Sequence, residues 1–265
     1  MILVTNKNNH IKTVSKELSI LVSLYGLSFM INDATNELKK FFEYNFEPQS
    51  PDNLTVKLQE IEKERQLDFQ KFNQINLIHH NSFNTLVPEA FFDKKQVGLF
   101  LRQNIKLLSN DPILSDAIPF FQLHNIYVPY RSVTDYFSTH PNLSNQHSVS
   151  LFLQNIEQIK KTEKHLPVNE IYINIFANDF QIAIFNNEKL LLFNQFEFKT
   201  VDEFLYYIFF ILETLDIKEK NSFFYITGVK KNNDLISNLN DFTGNLRVFP
   251  EKNPGNINNY ILNAN

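Results

Sequence analysis

Hydrophobic and polar positions alternate over two stretches of the chain, residues 18–24 and 171–176. A period of two places successive side chains on opposite faces of a sheet, so each stretch predicts a β-strand. Both strands lead into a turn, at 25–26 and 178–179, and small polar residues predict a second turn at 32–33 and 186–187. The second and third strands are expected at 27–31 and 38–46 in the first copy, and at 180–185 and 190–198 in the second. The two copies stay aligned with an offset of 153 until one residue is lost near the third strand.

A helix is predicted after each set of three strands. The first begins at Ser50 and Pro51, an N-cap residue followed by proline at the first helical position. The second begins with capping-box spacing at 200–203 and is apolar on nearly every side. Further elements continue both halves: fourth strands at 74–80 and 222–228, helical segments near 88–106 and 231–240, and fifth strands at 125–130 and 245–250.

The order in each half is therefore β-β-β-α-β-α-β, which is typical of a ribonuclease-H-like lobe. Two such lobes in tandem predict an α/β chain with the architecture of the actin, hexokinase and Hsp70 (ASKHA) group. Any α/β chain gives similar patterns by chance, and the duplicated order is what favours two lobes. The predicted parts are a flexible N-terminal tail at 1–15, a first lobe at 16–146, a second lobe at 147–250 that opens with a connecting helix at 147–168, and a C-terminal tail at 251–265.

Composition narrows the class of protein. A hydrophobic content of 43%, with 27 Phe and 10 Tyr among 265 residues, is enough for a substantial core and excludes general disorder. The net charge of −4 argues against a dedicated nucleic-acid binder. No Cys is present, which excludes disulfides and thiolate chemistry. The most hydrophobic run, 204–212, is far shorter than the roughly 20 residues of a membrane span. We therefore expect a soluble, cytoplasmic protein without direct membrane insertion.

Four segments resemble an uncharacterised bacterial family, domain-of-unknown-function family 3822. They are "LSILVSLYGLSFMI", "NTLVPEAFFD", "NIYVPY" and "KLLLFNQFEFKTVDEFLYYIFF", and the resemblance covers about residues 15–250. It implies an actin-like ATPase fold, similar in architecture to the cytoplasmic actin-like components of type IV pilus and type II secretion machines. It implies no particular reaction.

The turns that hold ATP in active members of this fold are degenerate here. The usual first turn has an Asp two residues before a Gly, but this chain has Leu24 before Gly26. Leu cannot order a hydrated Mg²⁺, whereas Gly lets backbone amides approach phosphates. The second turn, 176–179, has no Gly and offers Asp179, and only Gly228 stands where an adenosine-binding Gly pair is expected. Gly26, Asp179 and Gly228 are thus candidate cofactor-binding residues of a degenerate cleft, each with a simpler role in a turn or at a strand end.

Other chemistry receives little support, and no catalytic or metal-binding residue is predicted. His79 and His80 are adjacent on a strand, so their side chains point to opposite faces and cannot share a metal. No Gly-x-Ser-x-Gly motif provides a nucleophile, and strands 18–31 lack the carboxylates of a nuclease. Two groups of residues are predicted to be solvated: the histidines His140, His147 and His165, and the lysines Lys160, Lys161 and Lys164.

Three functions remain open. The leading hypothesis is a non-catalytic, actin-like scaffold that binds a protein partner and needs no cofactor. The alternative is an ATP-binding or slowly hydrolysing protein in which Asp179 or Asp33 compensates for the missing acid, with Mg-ATP as cofactor. RNA binding is the third, and the acidic net charge disfavours it.

Overall fold

Thirteen strands and six α-helices make up the part of the chain that the computed structural model describes, residues 16–33, 38–162, 169–228 and 234–249. The tails predicted at 1–15 and 251–265 lie outside these ranges. The strands are β1 (Lys16–Ser23), β2 (Gly26–Asp33), β3 (Leu38–Asn45), β4 (Gln74–His79), β5 (Asn84–Pro88), β6 (Leu114–Ile118), β7 (Leu123–Tyr127), β8 (Leu143–His147), β9 (Asn169–Ile175), β10 (Asp179–Asn186), β11 (Lys189–Glu197), β12 (Ser222–Thr227) and β13 (Leu246–Val248). The helices are α1 (Asn53–Arg65), α2 (Val97–Arg102), α3 (Arg131–Tyr136), α4 (Ser148–Thr162), α5 (Val201–Thr214) and α6 (Asp234–Phe242).

Two five-stranded sheets have the same strand order, β3-β2-β1-β4-β8 in the first and β11-β10-β9-β12-β13 in the second. In each, three antiparallel strands are followed by two strands parallel to the first. Corresponding strands begin 153 residues apart, at Lys16 and Asn169 and again at Gly26 and Asp179. The predicted duplicated α/β architecture is confirmed, whereas the residue boundaries of the two lobes stay a prediction.

The first half differs from the prediction between β4 and α4. The segment predicted as its fifth strand, 125–130, belongs instead to β7, which pairs with β5 and β6 in a separate three-stranded sheet. The fifth strand of the first sheet is instead β8, at the end of the predicted first lobe, where no strand was predicted. Alternation identifies a strand but does not say which sheet it joins, and the polar sequence of β8 gives no hydrophobic signal. The helix predicted at 88–106 is reduced to α2.

Short helices cover the outer face of each sheet. Side chains of α1 and α3 pack on the outer face of the first sheet, and those of α5 and α6 on the second. The predicted cap of α5 is present, because Thr200 Oγ1 accepts a hydrogen bond from the Glu203 amide at 3.2 Å. The cap of α1 is shifted: Ser50 Oγ accepts from the Asn53 amide at 3.4 Å, and Asp52 precedes the helix without a side-chain cap.

Helix α4 lies between the inner faces of the two sheets. It packs on Tyr172 and Phe185 of the second sheet, and its Leu151 packs on Leu21 and Ile78 of the first. Its first residue, Ser148, is therefore held near the turns that join β1 to β2 and β9 to β10. Within the described residues, no helix is long and apolar enough to cross a membrane.

Candidate functional site

The first hairpin turn, between β1 and β2, is closed by contacts within its own lobe. Ser23 Oγ accepts a hydrogen bond from the Tyr25 amide at 3.2 Å and donates one to the Gly26 carbonyl at 3.1 Å. A Cβ atom added at Gly26 would stand 2.6 Å from the Tyr44 carbonyl oxygen on β3. The close approach of β3 is thus sufficient reason for glycine at this position. A phosphate contact at Gly26 stays a prediction.

The second hairpin turn, between β9 and β10, reaches across to the first lobe. The Phe176 amide donates to the Asp179 carbonyl at 2.8 Å, which closes the turn. The Asp179 carboxylate is buried and lies 3.1 and 2.9 Å from His80 Nε2 through its two oxygens. Gln195 Nε2 donates to the same carboxylate at 3.0 Å. Asp179 therefore does more than complete a turn, because it joins the second sheet to the loop that follows β4.

His80 is the centre of a buried group of side chains, which we call the interlobe cluster: His80, Ser148, Phe176, Asp179 and Gln181. His80 Nδ1 lies 2.9 Å from Ser148 Oγ, and Gln181 Nε2 donates to the same hydroxyl oxygen at 3.0 Å. The imidazole stacks on the Phe176 ring with centroids 3.7 Å apart. Because a carboxylate only accepts hydrogen bonds, His80 Nε2 is the donor to Asp179, while Nδ1 shares a hydrogen bond with the Ser148 hydroxyl.

The sequence of contacts from Ser148 through His80 to Asp179 has the composition of a hydrolase triad. Its geometry favours a structural role. Ser148 is fully buried at the start of α4, and its oxygen is already engaged by both His80 and Gln181. A nucleophile needs an exposed oxygen that a substrate carbonyl can approach. The triad composition therefore does not make this site a hydrolase.

Tyr130 occupies the space between the two hairpin turns. Its hydroxyl donates to the His80 carbonyl at 2.8 Å, and it also hydrogen-bonds the Leu24 backbone in the first turn. Burial raises the pKa of the Tyr130 phenol, and the negative charge of Asp179 raises it further. The backbone of the first turn is therefore contacted by a side chain of its own lobe.

Backbone geometry describes the remaining two candidates, Gly228 and Asp33. Gly228 has φ +90°, and a Cβ there would stand 2.0 Å from the Ile175 carbonyl oxygen, so both conformation and space require glycine. A nucleotide contact at Gly228 stays a prediction, and 229–233 lie outside the described residues. Asp33 pairs with Lys16 at the end of β2 opposite the turn, roughly 23 Å away along an eight-residue strand. This position is too far for Asp33 to supply the missing acid.

Three histidines, His79, His80 and His147, lie at the ends of the neighbouring strands β4 and β8. His79 Nε2 is 2.9 Å from Asn145 Oδ1, and burial lowers the pKa of His79 to about 4. The pKa of His147 is well below its usual range because it is buried, and repulsion from the neighbouring His80 and His79, when these are protonated, lowers it further. Among the residues that the structure describes, no group of three or more His, Asp or Glu side chains has a metal-binding arrangement.

Two predictions about exposure were wrong. His140 and His147 are buried rather than solvated, and so is Lys160, which pairs with Glu170. A polar side chain is expected to be exposed unless it has a hydrogen-bonding or charged partner in the interior. His140, His147 and Lys160 each have such a partner. Lys161 is exposed as predicted. His165 and Lys164 lie outside the described residues.

Sequence reasoning identified Asp179 as a candidate but missed His80, Ser148 and Tyr130 as its neighbours. His80 and Asp179 are 99 residues apart along the chain and meet only because the two lobes face each other. The sequence contained one indication of these contacts, because two adjacent histidines at the end of the apolar strand β4 indicate a buried polar site.

The sequence profile of the family described as "Protein of unknown function (DUF3822)" matches residues 5–246, and the chain belongs to that family. No curated protein matches the chain significantly.

Solved structures show the same fold. A Bacteroides thetaiotaomicron protein with an actin-like ATPase fold and unknown function is 20% identical, with a TM-score of 0.78, and the match covers 96% of this chain and 97% of that one. A chain of the PilM–PilN type IV pilus biogenesis complex is 12% identical, with a TM-score of 0.57, covering 88% and 87%. The predicted two-lobe, actin-like architecture is therefore confirmed.

Proposed function

We propose that this member of the family is a non-catalytic scaffold of actin-like fold that binds a protein partner and does not turn over ATP. The observation that carries the proposal is the interlobe cluster. His80 and Tyr130 of the first lobe occupy the region between the hairpin turns, and the acid of the second turn, Asp179, is bound to His80.

Mg-ATP binding between the turns would require this arrangement to open. Asp179 would have to exchange two protein partners, His80 and Gln195, for a hydrated cation. A hydrogen bond to a charged group contributes about 1.5–3 kcal/mol, and the first turn offers Leu24 instead of an acid to help offset the loss of these bonds. These two features together support a scaffold over an ATPase.

Protein binding is supported by precedent within the fold and by the surface. A chain of similar fold is part of the PilM–PilN complex, in which it is assembled with another protein. Aromatic side chains are common at the centres of protein interfaces, and this chain exposes Tyr206, Phe210 and Phe242. The net charge of −4 supports a protein partner over nucleic acid, and the proposed location is the cytoplasm.

Calorimetry with Mg-ATP tests the proposal, with thermal melting in the presence and absence of Mg-ATP as a second measurement. We expect no saturable heat and no shift in melting temperature. Saturable binding would overturn the scaffold and favour the ATP-binding alternative.

Two matched acid variants locate any binding that is seen. Asp179→Asn changes the cluster acid, and Asp202→Asn changes an exposed acid on α5. Loss of binding in the first variant alone would assign the nucleotide to the cleft, whereas equal effects would place it elsewhere.

A further inference from the structure

The exposed face of α5 and its neighbour α6 combines aromatic and acidic side chains. Tyr206, Phe210 and Phe242 are 61%, 54% and 52% exposed, and the first two rings stack with centroids 5.8 Å apart. Positions 202, 206, 210 and 213 fall on one side of α5, so Asp202 and Glu213 flank the aromatic pair. Neither helix contains a Lys or Arg. We call Asp202, Tyr206, Phe210, Glu213 and Phe242 the α5 patch.

A surface of opposite charge lies on the first lobe, at α2 and its flanks. Residues 93–111 contain four cations and two acids, Asp93 and Asp111, whose carboxylates accept hydrogen bonds from the amides of Lys95 and Leu108, so the segment is net basic. Leu99 and Arg102 lie about one turn apart on α2, Lys95 lies in the turn that precedes the helix, and Leu99 is 53% exposed. Leu108, 62% exposed, adds apolar area nearby. We call Lys95, Leu99, Arg102, Lys106 and Leu108 the α2 surface.

The charges of both surfaces are unpaired among the described residues. No acid lies within 4 Å of the amino or guanidinium groups of Lys95, Arg102 or Lys106, and no cation lies within that distance of Asp202 or Glu213. On α1, by contrast, Lys57 and Glu60 pair with each other at 2.8 Å. An apolar centre flanked by uncompensated charge is the pattern of a recognition surface.

We propose that the α2 surface of one copy of this chain binds the α5 patch of a second copy. Each surface places apolar side chains between charges. In the contact, the cations of the α2 surface face the acids of the α5 patch. The two surfaces are different and lie on different lobes, so the contact is heterologous and propagates head to tail into a ring or an open assembly. The partner in the proposed scaffold function is then the protein itself, and this inference rests on that function.

The two kinds of contact have separate roles. Exposed ion pairs add little affinity but select the partner and the orientation, and they weaken as salt screens them. Aromatic and leucine side chains supply the buried apolar area that holds the interface. The association is therefore expected to weaken, but not to disappear, at high salt.

Sedimentation velocity of the full chain, from low to high micromolar concentration, tests the proposal. The average mass should rise with concentration and fall at high salt. Phe210→Ser is expected to weaken association about 10-fold, because it removes a central aromatic side chain. Thermal melting of each variant shows that the fold is retained.

Charge reversal distinguishes this contact from any other self-association. Asp202→Lys/Glu213→Lys makes the α5 patch basic, and Lys95→Glu/Arg102→Glu makes the α2 surface acidic. Each double variant alone should remain monomeric, because like charges then face each other. A mixture of the two should assemble, because every contact in an alternating array pairs opposite charges. As a matched control, the exposed α1 pair is exchanged in Lys57→Glu/Glu60→Lys and should assemble as the wild type does.

Two outcomes would overturn the inference. The first is a wild-type protein that stays monomeric at every concentration. This outcome would overturn the inference even if the α5 patch bound a basic peptide instead. The second is self-association that both charge-reversed variants retain. Neither outcome affects the proposed scaffold, which is tested separately by nucleotide binding.

Discussion

The two lobes share one strand order, yet their corresponding hairpin turns are in different situations. The turn at Gly26 is satisfied by its own lobe, whereas the turn at Asp179 is bound to His80 of the other lobe. Strand order is preserved because each sheet needs the same pairing. The residues of the turns are not constrained by strand pairing and can differ between the lobes. In this protein the second turn carries Asp179, which joins the two lobes through His80.

The outer helices differ in the same way. Helix α1 exposes charged side chains such as Lys57 and Glu60, which pair with each other at 2.8 Å. Its counterpart α5 exposes Tyr206 and Phe210. The exposed aromatic side chains, which are unusual on a solvated helix, therefore lie on the second lobe.

The inner faces of the sheets also differ. The first sheet holds neutral hydrogen bonds, with Ser144 Oγ donating to Asn76 Oδ1 at 2.6 Å. The second sheet is joined to α4 by the buried ion pair of Lys160 and Glu170, and Lys160 Nζ also donates to the Asn187 carbonyl at 3.0 Å. Because the Lys160 charge is buried and has Glu170 as its counter-ion, the second sheet is more sensitive to substitution of either residue.

The largest effect is expected from Lys160→Met, which leaves the Glu170 carboxylate buried without its cation. The free energy of unfolding, measured by urea denaturation, should fall by about 3–5 kcal/mol. Lys161→Met, which removes the exposed partner of Glu157, is the matched control and should cost no more than about 1 kcal/mol. The double variant Lys160→Met/Glu170→Met should recover much of the loss. Equal losses in the single and double variants would contradict a charge-based explanation.

The next effect compares glycines of the two lobes. Gly228→Ala should lower the free energy of unfolding by about 3 kcal/mol or more, because φ is +90° and the new Cβ meets the Ile175 backbone. Gly26→Ala should cost less, because φ is not positive there and the new Cβ is opposed only by contacts with the Tyr44 carbonyl oxygen and Asn45 Oδ1. Gly244 has no neighbour closer than 3.8 Å, so Gly244→Ala serves as the control and should change stability by less than about 1 kcal/mol. A Gly228 variant as stable as the Gly244 variant would show that the strand end relaxes freely.

The smallest effect concerns acid. The folded protein keeps His79 neutral with a pKa of about 4, while the unfolded chain takes up a proton near pH 6.5. Stability is therefore present above pH 6.5 and declines as the pH falls toward 4, by about 2 kcal/mol at pH 5 from His79 alone. The lowered pKa of His147 adds a loss in the same direction. No histidine follows His165 in the sequence, so the first lobe should carry this sensitivity.

Urea denaturation at several pH values checks the acid effect, and hydrogen exchange shows where it acts. His79→Gln should reduce the slope of stability against pH by about 1 kcal/mol per pH unit between pH 5 and 6.5. Exchange at pH 5 should increase first in strands β1 and β4. An unchanged slope in the variant would rule out His79 as a source.

Local sequence determined much of this protein. Alternation at 18–24 and 171–176, the cap at Thr200 and the repeat with its offset of 153 specify strands, helices and a duplicated order, because each depends on neighbours along the chain. Leu24 in place of an acid was equally visible, since residue identity at a turn needs no coordinates.

Tertiary structure alone decided the sheet to which β7 belongs and the partners of Asp179. Strand pairing and side-chain contacts between His80, Ser148 and Asp179 join residues that are distant in sequence, and no local pattern encodes how two sheets face each other across α4. The same reason explains why Lys160 and His147 are buried. Their polarity predicts solvent exposure, and only the packed lobes provide the partners that make burial stable.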